Sequence, residues 1–180
     1  MHGVHRDLYR PRCGGIYGKE AEEVKKYELT SETKVFLGKT LYRIKALVQF
    51  GNVNAGDLGG WIEKEENLSQ YGNAEVYGNA RVYGNAWVYG DASVYGNAEV
   101  SEIGAIFWIG AIGSRNDTAT FFRCRDGSIK VVCGCFFGNL DEFAKKVRKT
   151  HGDNDHAKVY MLAIEMAKIR IGDKKEKTEE

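Results

Sequence analysis

Five six-residue units run without interruption from Tyr71 to Val100, YGNAEV, YGNARV, YGNAWV, YGDASV and YGNAEV, and no other stretch constrains the fold as hard. A helix repeats every 3.6 residues and never returns the same residue at every sixth position, so a strict six-residue period marks a repeating turn. Val76, Val82, Val88, Val94 and Val100 share one phase, and Ala74, Ala80, Ala86, Ala92 and Ala98 share another. Each unit thus offers one branched and one small apolar side chain to a narrow interior. The Gly-Asn or Gly-Asp pair in every unit supplies a corner, because glycine accepts positive φ and Asn or Asp bonds its own backbone there. This pattern predicts a parallel β-helix.

The run GNARVYGNAWVYGDASV, with the preceding GDLGGWIEKEENLS, resembles the bacterial hexapeptide repeat of left-handed β-helices. That is the fold of many trimeric, LpxA-like acyltransferases, and the likeness is strongest to YdcK-like proteins of bacterial and prophage genomes. The resemblance implies a left-handed coil of three hexads per turn, so that residues eighteen apart stack. Arg81 would then lie under Glu99, Tyr71 under Tyr89 and Tyr77 under Tyr95, each pair worth about 0.2–1 kcal/mol. It also implies a homo-oligomer, with a trimer as the family's usual form, and a phage or prophage accessory role.

The flanks divide around this repeat. Residues 1–23 match no periodicity and read either as a disordered arm or as a mis-annotated leader. In the second reading Gly18-Lys19-Glu20-Ala21 encodes a ribosome-binding sequence and Val24 is the true start, which the gene's codons would decide. Residues 24–51 form an N-terminal β cap: Leu41 to Phe50 alternates as a half-buried strand, with Val35-Phe36-Leu37 as its hairpin partner. Gly38-Lys39-Thr40 is a turn and not a phosphate loop, since Thr33 stands where the first glycine is required and a strand follows where a helix is needed. Residues 52–113 hold the β-helix of about three coils. Ile62 and Leu68 already share its spacing, Glu63 to Glu66 read as a solvated corner, and the phase persists in Ile106 and Ile112.

Residues 114–172 read as a C-terminal α+β module of a hairpin and two helices. Strands at Thr118 to Arg125 and Ser128 to Phe137 flank an Asp126-Gly127 turn. A capping-box start at Asn139 precedes a helix with Leu140, Phe143, Ala144 and Val147 inward. A second helix, Asp155 to Arg170, carries Val159, Leu162, Ala163, Met166 and Ile169 as its inward stripe. The charged tail 173–180 is expected to be disordered. The fold class expected is therefore mainly β, a short left-handed parallel β-helix capped by an N-terminal hairpin and this module.

Composition narrows function mostly by exclusion. With 180 residues, 43% hydrophobic and 28% charged, the chain has material for a core. A net charge of +1 gives no general case for nucleic acid or an anionic membrane. No apolar run approaches the ~18 residues of a spanning helix, and MHGVHRDLYR lacks a signal-peptide core, so a cytoplasmic location is expected.

Acyl transfer on this fold needs a histidine base, and the four histidines, His2, His5, His151 and His156, all lie outside the repeat. Cys124, Cys133 and Cys135 raise a metal site. However, pairing across Asp126-Gly127 sets Cys124 opposite Ile129, and puts Cys133 and Cys135 on a face with Val131 and Phe137, where all three thiols pack as small hydrophobes. The Cys-x-Cys spacing is also too short for the usual zinc pair. No catalytic residue, metal or cofactor is assigned.

Two surfaces remain. Ser114, Arg115, Asn116 and Asp117 sit at the seam of repeat and module, where Arg115 would hold a phosphate or carboxylate; the plainer reading is a connector. Tyr77, Tyr83, Trp87, Tyr89 and Tyr95 face outward as a contact surface for a partner or a trimer, or simply stack along the coil. The sequence reads as a non-enzymatic binding protein for a small anionic ligand or a host protein, a host signalling nucleotide being one specific form. The alternative is a CoA-dependent acyltransferase using acetyl-CoA.

Overall fold

The structure is a computed structural model that describes residues 24–172. The leader or arm at 1–23, with His2 and His5, and the tail at 173–180 lie outside the described residues. Strands β1 (Tyr27–Phe36) and β2 (Lys39–Ala46) form an antiparallel hairpin. Its two turn residues, Leu37 and Gly38, both have positive φ, at 48° and 74°. That geometry matches the twist of the flanking strands, and makes Gly38-Lys39 the plain turn expected.

The hairpin continues a sheet. β2 pairs antiparallel with β3 (Leu58–Ile62), which pairs in parallel with β5 (Arg81–Val82) and through it with β7 (Glu99–Val100). A second parallel pair joins β4 (Glu75–Val76) to β6 (Ser93–Val94). Beyond the repeat, β8 (Ile106–Ile112), β9 (Asp117–Arg123), β10 (Ile129–Cys133) and β11 (Phe136–Asn139) form an antiparallel meander. Two helices, α1 (Leu140–His151) and α2 (Asp155–Ile171), close the chain. None of the described helices is long and apolar enough to cross a membrane.

The expected fold class is corrected here. No single left-handed parallel β-helix organises the molecule; it is a mixed, sheet-rich fold with antiparallel sheets and two helices. The physical reason lies in the hexads themselves. A glycine corner every six residues leaves only two extended residues between turns, so each parallel strand in the repeat is two residues long. The long strands all lie outside the repeat, where hairpin turns dictate antiparallel pairing. Ile106 and Ile112, expected to prolong the repeat, instead bound β8, an antiparallel partner of β9.

Other expectations hold at the level of residues. Arg81 pairs with Glu99 and Glu75 with Ser93, both eighteen apart. The five repeat valines and five repeat alanines are all buried. They share one core with Tyr27, Ile44, Ile62, Leu68 and Phe122. A second core lies between the meander and the helices, built on Phe121, Val131, Phe143, Tyr160 and Ile164. The predicted capping box of α1 is present: Glu142 N–H donates to Asn139 Oδ1 and Asn139 N–H to Glu142 Oε2, each at 2.8 Å.

Three local expectations fail. The strand expected over Ser128 to Phe137 is broken at Gly134, whose φ of 55° turns the chain between β10 and β11. Consequently Cys133 is buried whereas Cys135 and Phe137 are exposed. Ile129 faces Arg123 and not Cys124. The third miss is α2. It buries Ala157, Tyr160, Ala163, Ile164, Ala167 and Ile171, and of its expected stripe only Ala163 points inward. The buried face joins three alanines to Tyr160, Ile164 and Ile171, which pack with Phe121, Val131 and Phe143 of the meander and α1, and the stripe of Val159, Leu162, Met166 and Ile169 is left outside.

Candidate functional site

The loop Ser114-Arg115-Asn116-Asp117 borders an open cleft of about 370 Å³, but only Asn116 and Asp117 line it. Arg115 is absent from the lining, its Nη2 lying 3.9 Å from Asp117 Oδ2. Glu75, Asp91 and Asp117 bring three carboxylates to the cleft. Glu75 is buried, accepting from Ser93 Oγ at 2.9 Å and from the Tyr95 hydroxyl. An acceptor-rich cleft repels phosphate, so its chemistry does not suit the anion expected at Arg115.

The five aromatic residues separate. Tyr77, Trp87 and Tyr89 are exposed, and Trp87 stacks on Tyr89 at 4.2 Å. Tyr77 meets Tyr95 edge to face at 6.3 Å, the stacked pair expected from the eighteen-residue register. Trp87 and Tyr89 border a shallow groove with Ile103, Phe107, Trp108 and Arg170. Tyr83, expected outward, is only 7% exposed. It lies in a small third cluster with Leu41 and Trp61, edge-on to Phe36 at 5.8 Å, and its hydroxyl donates to Glu99 Oε1 at 2.8 Å.

That third cluster sits on the outer face of the five-stranded sheet. Register aligns Arg43, Trp61, Arg81 and Glu99 in one row across β2, β3, β5 and β7. The residues that follow each of them, Ile44, Ile62, Val82 and Val100, are buried in the repeat core, so the row itself faces outward. Cations lie flat on this layer. Lys34 Nζ stands 3.9 Å above the Trp61 ring, Arg43 Cζ 5.2 Å from the same ring, and Arg81 Cζ 4.0 Å above Phe36. Arg125, from the turn after β9, adds a fourth, with Nε 3.9 Å from Glu99.

Acceptors are scarce here. Glu99 is shared among Tyr83, Arg81 at 4.0 Å and Arg125. Glu63 is taken by Lys39 Nζ and the Gly84 N–H, both at 2.7 Å, and these bonds hold its carboxyl below the usual carboxylate range. It is not the solvated corner residue expected from sequence. Among the described residues, the buried side-chain nitrogens and oxygens without a hydrogen-bond partner are Arg43 Nε, Trp61 Nε1 and Arg81 Nε. All three are consecutive in the one row.

The local potential agrees. Burial, and then Arg81, Arg125 and Arg43, push the Lys34 ammonium down to about 8 against the opposing pull of Glu32. Burial and then Arg125 lower Arg81 as well. Only the Arg81 and Glu99 end of this row was readable in the sequence. The twenty-residue step from Trp61 to Arg81 departs from the repeat's eighteen, and Arg43 arrives from a hairpin outside it.

The remaining chemistry lies elsewhere. His151 and His156 sit side by side at the α1–α2 junction, ring centres 5.7 Å apart, and neither lines the cleft or the groove. Burial pushes the Cys124 and Cys133 thiols up, which makes them poor nucleophiles. Among the described residues no group of three or more His, Cys, Asp or Glu side chains is placed to hold a metal ion. Neither a protein-family model nor a curated protein matches this chain.

Proposed function

We propose that this chain is a non-catalytic binding protein that takes a small anionic ligand on the outer face of its five-stranded sheet. Arg43, Trp61 and Arg81 form the floor of the site, with Lys34 and Arg125 at its rim. The observation that carries this reading is the row of three donors without acceptors. A buried donor left unpaired costs about 1–3 kcal/mol, so such groups rarely cluster unless something supplies the acceptor. A ligand with several charged oxygens matches guanidinium forks, and the flat Trp61 and Phe36 rings hold those forks in place. A phosphate-bearing metabolite fits this chemistry. The resemblance of the hexads to YdcK-like repeats fits a phage or prophage accessory role, with a host signalling nucleotide as one such ligand.

Calorimetric titration of the full chain with inorganic phosphate, ATP and adenosine tests it. Phosphate and ATP are expected to bind, adenosine not, with affinity falling as salt rises. Arg43→Gln and Arg125→Gln should each weaken ATP at least about tenfold, or ~1.4 kcal/mol. Absence of binding by both phosphate and ATP, or unchanged affinity in both variants, overturns the reading.

A further inference from the structure

The cations on the outer face of the five-stranded sheet gather as two pairs. Lys34 Nζ and Arg43 Cζ lie 3.9 and 5.2 Å from the centre of the Trp61 ring, and this pair sits where Arg43 Nε and Trp61 Nε1 lack a hydrogen-bond partner. Arg81 Nη1 and Arg125 Nε meet at Glu99 Oε2, at 4.0 and 3.9 Å. Trp61 and Glu99 are two strands apart in one register, on β3 and β7 with β5 between, so their backbones stand about 10 Å from each other. The head groups are also tethered: Arg81 lies over the Phe36 ring, and Arg125 Nη2 donates to the Asn79 carbonyl at 3.3 Å. The pairs are still near enough to share one field, since Arg81 and Arg125 both act on the Lys34 ammonium. An anion that answers both pairs carries its charge along a length and not at a point.

The same face offers no ring for a base. Trp61 is only 7% exposed, beside buried Leu41 and Tyr83. Phe36 holds Arg81 over its ring and meets Tyr83 edge-on. An open aromatic face is the usual platform for a nucleobase. The carboxylates that could accept from a base edge are engaged as well, Glu99 by Tyr83 and two arginines and Glu63 by Lys39 and the Gly84 N–H.

We infer that this site, resting on the anion reading above, selects a condensed phosphate chain and is indifferent to the group the chain carries. Inorganic tripolyphosphate is then held as tightly as a nucleoside triphosphate. One phosphate answers the Lys34 and Arg43 pair and its chain neighbours answer Arg81 and Arg125. The second contact is intramolecular once the first is made, which adds affinity that a single phosphate does not gain.

Calorimetric titration of the full chain, free of divalent cations, with phosphate, AMP, ATP, CTP and tripolyphosphate tests this. ATP, CTP and tripolyphosphate are expected to agree within about threefold, and phosphate and AMP to bind at least about tenfold more weakly. Tripolyphosphate should lose at least about tenfold in both Arg43→Gln and Arg125→Gln, one residue from each pair. If either variant does not fold, the wild-type series decides by itself. Four results overturn the inference while leaving the anion site standing: tripolyphosphate at least about tenfold weaker than ATP, ATP and CTP apart by that factor, phosphate or AMP equal to tripolyphosphate, or tripolyphosphate sensitive to only one variant. Binding by none of the five overturns both readings.

Discussion

Asn67 shows how much of this fold rests on single side chains. It is wholly buried; its Oδ1 accepts from Lys64 N–H at 3.1 Å, while Nδ2 donates to the carbonyls of Ala86 at 2.8 Å and Gly84 at 3.3 Å. Asn67→Ala strands these buried backbone groups and should cost about 2–3 kcal/mol, read as a lower urea midpoint at unchanged slope. Ionisable side chains give a second test. Lys26 is buried, with Nζ donating to Ala74 O at 2.8 Å, and its burial lowers the ammonium to about 8. Below that pH both folded and unfolded states hold the proton, and the burial penalty is fully present. Between about 8 and the ordinary 10.5 the unfolded state binds more protons, so stability rises with pH. Lys34 acts in the same direction. Tyr83 and Tyr160, raised to about 12 by burial, act oppositely: their contribution is intact below pH 10 and lost as pH climbs toward 12. Chemical denaturation across pH 7–11 should therefore show a rise above pH 8 followed by a fall beyond about 10. Lys26→Met should flatten the rise.

Elements divide into those stabilised by nearby chemistry and those set by what they touch. The repeat corners belong to the first kind. Gly78 and Gly84 have the same φ of 64°, so alanine at either carries a left-handed penalty of about 1–2 kcal/mol. They differ in surroundings: a Cβ at Gly78 finds its nearest atom at 3.7 Å, whereas one at Gly84 meets the Ser101 carbonyl oxygen at 2.5 Å. Gly84→Ala should therefore lower the thermal midpoint clearly more than Gly78→Ala, as calorimetry of the pair would show. The N-cap of α1 is equally local, and Asn139→Ala should cost about 1 kcal/mol. It was legible in the sequence because a cap needs only four consecutive residues. The inward face of α2 was not legible. Both of its faces are apolar, and the choice between them depends on which one meets the core of the meander and α1.

At the scale of the whole molecule, β9 is the joint. Its neighbours Phe121 and Phe122 point to opposite faces, Phe121 into the core under the helices and Phe122 into the core of the repeat. Two cores that share a strand should unfold together. Circular dichroism at 222 nm and tryptophan fluorescence are expected to report one coincident transition, and Phe121→Ala or Phe122→Ala should each shift it by about 3–5 kcal/mol. Two separated transitions would show that the cores are independent.

The resemblance to three-hexad coils implied the eighteen-residue register of Arg81 with Glu99, while the sequence by itself determined the six-residue corners, the burial of their valines and alanines, the hairpin turn at Gly38 and the cap of α1. Each follows from the φ, size or hydrogen-bonding capacity of residues in a short span or a strict period. Only the tertiary structure decided that the long strands pair antiparallel, that Tyr83 lies beneath the hairpin, which face of α2 is buried, and that Arg43 and Trp61 join Arg81 in one donor-rich row. These depend on which surfaces meet across dozens of residues. Side-chain pattern limits such meetings to a few, and close packing selects among them.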